Sequence, residues 1–151
     1  MKIEQEIQQE TFRNEYQKVT INLLFSSNWV LEQIRLLLEK EDITPQQYNI
    51  LRIVKGSSQP LSTLQIRERM IDKMSDTSRI VERLMKKGLL NKITCSHDKR
   101  LVEISLTGKG MELLERLTVN NTQLDAITGN LSPEEAKTLN SLLDKMRGGD
   151  R

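Results

Sequence analysis

Apolar positions along the chain change period in a way that divides it into successive elements. From Phe12 to about Lys40, Phe12, Tyr16, Val19, Leu23, Ser26, Val30, Gln33 and Leu37 follow a three-four spacing with no proline or glycine. Leu24, Phe25, Trp29, Leu31, Ile34 and Leu38 widen the face. The pattern predicts a helix about 40 Å long at roughly 1.5 Å per residue. A chain of this size cannot bury such a helix along its whole length, so part of the stripe is expected to meet another chain. The polar leader, residues 1–11, carries only Ile3 and Ile7 as apolar positions and fits either a helix or a frayed end.

Shorter blocks follow. Thr44 and Pro45 are a cap and a first-turn proline, and Tyr48, Leu51, Ile53 and Val54 give about three turns, ended by Gly56, Ser57, Ser58 and Pro60. Leu61 and Ser62 fit a short strand. Thr63 is read as the cap of a helix carrying Leu64, Ile66, Met70 and Ile71, and Lys73 and Met74 as the turn after it. A further helix opens with Ser75, Asp76, Thr77, Ser78 and Arg79 as its exposed first turn and Ser75 as its N-cap. It buries Ile80, Val81, Leu84 and Met85 and ends at Lys86, Lys87 and Gly88, with cations in the last turn and a glycine where a left-handed cap belongs.

Residues 89–94 and 101–106 then read as a β-hairpin, the second run alternating Val102, Ile104 and Leu106 against Leu101, Glu103 and Ser105. Thr107 caps a helix expected to run to about Gly129. Ser132, Pro133, Glu134 and Glu135 open a last one with Leu139, Leu142, Leu143 and Met146 as its stripe. The final residues, 148–151, are expected to fray. Two short helices joined by a turn, followed by a hairpin, make a mainly α winged helix-turn-helix with a small β-hairpin wing.

Composition narrows what such a chain does. With 151 residues and 36% hydrophobic content it is expected to be one domain, residues 1–151, without two independent cores. No apolar run approaches the length of a membrane span and no basic-then-apolar leader opens the chain, so a cytoplasmic location is expected. One cysteine excludes an internal disulfide, and one cysteine with one histidine cannot furnish a zinc site, so neither metal nor other cofactor is expected. The net charge of +2 is uninformative, but its distribution is not. Residues 65–100 hold ten Lys or Arg against five acids, a local +5 that leaves −3 for the remainder. A basic segment on a slightly acidic body is the footprint of a protein that turns one side toward phosphates. The hairpin connection, with His97, Asp98, Lys99 and Arg100, places cations at the tip. A polar-faced helix beside it suits a major groove, with the tip in a neighbouring minor groove.

Three signatures at fixed mutual spacing carry a resemblance. Leu84-x-x-x-Gly88-Leu89, the Asp98-Lys99-Arg100 tip and Leu106-Thr107-x-x-Gly110, in this order of elements, are similar to the MarR family of bacterial winged helix-turn-helix regulators from about Leu23 onward. The resemblance implies a homodimer joined by N- and C-terminal helices, about 4–40 and 108–147, around a DNA-binding lobe of about 44–107. It also implies a palindromic operator, repression of nearby genes, and release by a small-molecule effector bound between the dimer helices and the lobe, where Trp29 and Tyr48 are the candidate wall residues. The chain departs from the family at Arg67, where alanine is usual.

The candidate DNA-contacting residues are Ser75, Thr77, Ser78, Arg79, Arg83, Lys99 and Arg100, with Asp98 either orienting Arg100 or bracing the wing by an ion pair. Arg83 has three readings: a pair with a neighbour of Glu82, a pair with Asp98, or a grip on the backbone of DNA. Lys86 and Lys87 are helix C-terminal cations first and phosphate ligands second, and Cys95 is read as a structural or incidental thiol. No glycine-rich phosphate loop, nucleophile elbow or Ser/His/Asp set is present, so an enzyme is not expected. The competing reading is a winged-helix module that contacts only proteins, since fold does not fix function.

Overall fold

A computed structural model describes residues 1–94, 96–98 and 101–149. A short helix α1, Ile3–Glu6, precedes the long helix α2, Glu15–Leu38. Helix α2 starts later than its apolar stripe because Asn14 caps it, its side chain accepting the Gln17 amide at 2.9 Å. A 3-10 turn, Glu39–Glu41, and Asp42 in the left-handed region (φ 52°) then reverse the chain.

Helix α3, Pro45–Lys55, begins as the sequence indicates, with Thr44 and Gln47 in a reciprocal capping box. Helix α4, Thr63–Arg69, is capped by Ser62, not Thr63: Ser62 and Gln65 form a second capping box. The expected strand at Leu61 and Ser62 reduces to one antiparallel bridge, in which Leu61 and Ile104 exchange amide hydrogen bonds of 3.1 and 2.7 Å. Of the apolar positions assigned to this helix, Ile66 and Met70 are buried. Leu64 and Ile71 stand in solvent.

Helix α5 spans Thr77–Lys86 and is followed by Gly88 at φ 73°. Strands β1, Leu90–Thr94, and β2, Val102–Leu106, pair antiparallel with Leu90 opposite Leu106 and Thr94 opposite Val102. Leu90 and Ile104 point into the core. The helix expected to run to Gly129 breaks into α6, Gly108–Thr118, and α7, Asn121–Ala126. Thr118 donates its hydroxyl back to the Leu114 carbonyl at 2.8 Å, and the following Val119, Asn120 and Asn121 are weak helix formers that release the backbone into a turn. Helix α8, Pro133–Met146, carries the predicted Ser132 cap with Glu135 returning the bond. Gly148 and Gly149 close its end instead of fraying: their amides reach the Lys145 and Asp144 carbonyls at 3.0 and 2.9 Å.

One core joins α3, α4, α5, the hairpin and α6, with Ile50, Leu51, Ile66, Leu84 and Ile104 fully enclosed. The long helix adds only Leu38 to the buried set and α8 adds nothing. Two cross-links tie the end of α2 to this lobe. Arg116 grips the Glu41 carboxylate through two nitrogens at 3.0 and 3.3 Å, which raises the guanidinium pKa, and Lys87 reaches the Asp42 backbone carbonyl and, at 3.6 Å, its carboxylate. Lys87 is thus a brace of the frame, while Lys86 is exposed.

Candidate nucleic-acid interface

Helix α5 divides cleanly into an inner and an outer face. Val81 and Leu84 are buried, while Ser78, Arg79, Glu82, Arg83 and Lys86 are exposed. Arg79 and Arg83, one turn apart, share a face. Among the described residues neither enters an ion pair, so the pairing readings of Arg83 do not apply there. Both guanidinium groups are held by the helix and open to an external anion.

The first turn differs from its sequence reading in two respects. The N-cap is Asp76, whose carboxylate accepts the Arg79 amide at 3.2 Å, and not Ser75. Thr77, expected to be exposed, is only 3% accessible, and its hydroxyl is enclosed without a hydrogen-bond partner, as is that of the half-buried Ser75. Shifting the cap by one residue rotates Thr77 inward, because a helix places adjacent residues about 100° apart. Of the candidates described, Ser78, Arg79 and Arg83 share the exposed surface; Ser75 and Thr77 line its inner side.

At the wing, Asp98 is exposed and its backbone carbonyl accepts the Leu101 amide at 2.9 Å. Lys99, Arg100 and Cys95 lie outside the described residues, and with Arg100 its expected orienting by Asp98. The two effector candidates are not brought together. Trp29 is on α2 and borders a cavity of about 280 Å³ with Ile3 and Phe25, whereas Tyr48 lies on α3 against the core, with the Arg52 guanidinium 5.7 Å from its ring centre.

The frame behind this surface uses residues that sequence spacing alone does not join. The Thr107 hydroxyl donates to the Gly88 carbonyl at 2.6 Å and accepts the Gly110 amide at 2.9 Å. Gly110 packs so closely on the Leu89 carbonyl that a Cβ there would lie 2.3 Å from its oxygen. Two of the sequence signatures, Gly88-Leu89 and Thr107-x-x-Gly110, therefore meet at one junction that locks α5, the wing and α6 together. Asn49 on α3 accepts the Ile71 amide at 2.9 Å and fixes the turn that leads into α5. A separation of 22 residues gave no signal for it.

This is the geometry of a winged helix-turn-helix protein. Residues 43–110 match the family described as Winged helix DNA-binding domain. The chain is 33% identical over 94 residues to an uncharacterised HTH-type transcriptional regulator, YhbI, of Bacillus subtilis (strain 168), a match covering 62% of this chain and 60% of that protein. It is 26% identical over 135 residues to the HTH-type transcriptional regulator FarR of Neisseria gonorrhoeae, covering 89% of this chain and 92% of FarR. In structure it matches a mutant MarR from E. coli complexed with operator DNA, with a TM-score of 0.78, 22% identity, and 91% and 99% of the two chains covered. The fold is that of MarR-like winged helix-turn-helix structures, and the relatives it matches are named HTH-type transcriptional regulators.

Proposed function

We propose that the chain is a homodimeric, sequence-specific double-stranded DNA-binding regulator that represses from a palindromic operator and is released by a small-molecule effector. The observation that carries the DNA reading is the outer face of α5, where Arg79 and Arg83 stand exposed and without acidic partners among the described residues beside the basic hairpin. In this reading α5 enters the major groove, Ser78 and Arg79 meet base edges, Arg83 meets the backbone, and Lys99 and Arg100 serve the minor groove from the wing. Ser75 and Thr77 position the first turn. The E. coli MarR mutant that the fold matches is complexed with operator DNA, which supports the same docking here.

The dimer is assigned to the two helices that the core leaves uncovered. Helix α2 exposes Leu24, Trp29 and Leu31, and α8 exposes Leu139, Leu142 and Met146. Pairing these stripes divides the chain into a lobe of about 44–107 and flanking dimerisation helices. Two lobes then face half-sites about 34 Å apart or a multiple of it. Among the described residues no helix is long and apolar enough to cross a membrane, which supports action in the cytoplasm on DNA.

The test begins by selecting bound sequences from random duplexes and continues with matched salt titrations on the selected and a scrambled duplex. A bidentate arginine to guanine is worth about 1–3 kcal/mol of discrimination, so Arg79→Ala relaxes preference at one or two symmetric positions. Arg100→Ala weakens both duplexes and lowers the salt slope by about one unit per lost contact. Equal loss on both duplexes for Arg79→Ala, with no change for Arg100→Ala, would overturn the assignment of grooves. Indifference to every duplex at low salt would favour the protein-contact module.

A further inference from the structure

The turn between α4 and α5 is anchored on its inner side and apolar on its outer side. Met70 is sunk in the core, yet the next residue, Ile71, is 83% exposed and Met74 is 93% exposed. Apolar side chains this far into water usually belong to loose segments, but this turn is tied at every step. The Ile71 amide donates to Asn49 at 2.9 Å, and the Met74 amide donates to the Asp72 carboxylate at 3.0 Å. The Ser75 amide donates to the Asp72 carbonyl at 3.3 Å, and the Lys73 ammonium donates to the Glu68 carbonyl at the end of α4. The two side chains are therefore presented by a fixed backbone.

Their surroundings select the partner. Across residues 67–79 exposed Arg67, Arg69, Lys73 and Arg79 stand against exposed Glu68, Asp72 and Asp76, so the two apolar tips belong to a segment of net charge +1 at the entrance to the reading helix. A standard protein interface buries about 800 Å² per partner, far more than two side chains supply. The surface that sets an apolar group beside a line of negative charge is the major groove at thymine, whose 5-methyl group lies within reach of the flanking phosphates.

We infer that Met74, with Ile71 beside it, contacts a thymine methyl at the edge of each half-site and so adds an apolar element to sequence preference. The inference rests on the DNA-binding reading and is tested separately from it. In the selected operator, each thymine is replaced in turn by deoxyuridine, which removes only the methyl group and leaves the hydrogen-bonding edge unchanged. One buried methyl corresponds to about fourfold in affinity, so the unaltered protein should lose about that factor at one or two symmetric thymines. Met74→Ala should bind the thymine duplex more weakly by a similar factor, ignore the deoxyuridine change at those positions, and keep the salt slope of the parent.

Salt-dependent, selective binding by the unaltered protein with no response to any deoxyuridine would overturn the inference while leaving the regulator reading intact. Full methyl sensitivity in the Met74→Ala, Ile71→Ala double variant would do the same. A protein that enriches no duplex defeats the regulator reading, and this inference falls with it.

Discussion

Asp76 closes the N-terminus of α5 by accepting the Arg79 amide, so the residue that carries the proposed base contact is also the one whose backbone is capped. Asp76→Ala should cost about 1 kcal/mol of stability, whereas Ser75→Ala, lacking a capping bond to lose, should leave the thermal midpoint nearly unchanged; chemical denaturation of the two variants checks this. Gly110→Ala should be worse. Its new Cβ meets the Leu89 carbonyl, which cannot move without opening the junction, and overpacking of this kind costs about 1–3 kcal/mol, read as a lowered denaturation midpoint. These positions also show what a sequence discloses at this scale. Arg79 and Arg83 were legible because a polar face stands out against Val81 and Leu84. The cap was not, because Ser75 and Asp76 are both good capping residues and the choice depends on the fold of residues 70–76. Thr77 followed the cap inward.

At the scale of elements, starts were legible where a cap and a proline mark them together: Thr44 with Pro45 and Ser132 with Pro133 opened helices where expected. Breaks without proline or glycine were not, and the α6 to α7 turn turns on a local hydroxyl bond and the weak propensity of two asparagines. Helix α1 was ambiguous from sequence because its docking is tertiary. Ile3 is buried beside Phe25 and Trp29, and Glu4 meets Lys18 at 2.5 Å. The hydrogen bond from Lys18 holds the Glu4 carboxyl below its ordinary value of 4.5, helped by a backbone bond. A depressed carboxylate stabilises the docked arm above 4.5 and ceases to do so as pH falls through the lower, folded value. Acidification should therefore loosen the docked α1 arm. Trp29, the one tryptophan of the chain, should report this as an emission change that Glu4→Gln abolishes.

At the scale of the molecule, apolar surface is distributed unequally. Leu139 is 42% and Leu142 57% exposed, and introducing charge by Leu139→Glu and Leu142→Glu should dissociate the proposed dimer, shifting sedimentation to the monomer with loss of operator affinity. A native protein that sediments as a compact monomer at micromolar concentration would refute the pairing. The long stripe on α2 made an uncovered apolar face legible from sequence, since one short chain cannot cover such a helix. How the end of that helix is fixed to the lobe was not, because the Arg116–Glu41 and Lys87–Asp42 ties join residues 75 and 45 positions apart. That α8 buries none of its residues has a kinetic counterpart. In the proposed dimer a helix that its own chain does not cover draws its resistance to opening from association, so its amide hydrogens should exchange more slowly as protein concentration rises, while those of α3 and α5 exchange at a rate indifferent to dilution until the fold itself opens.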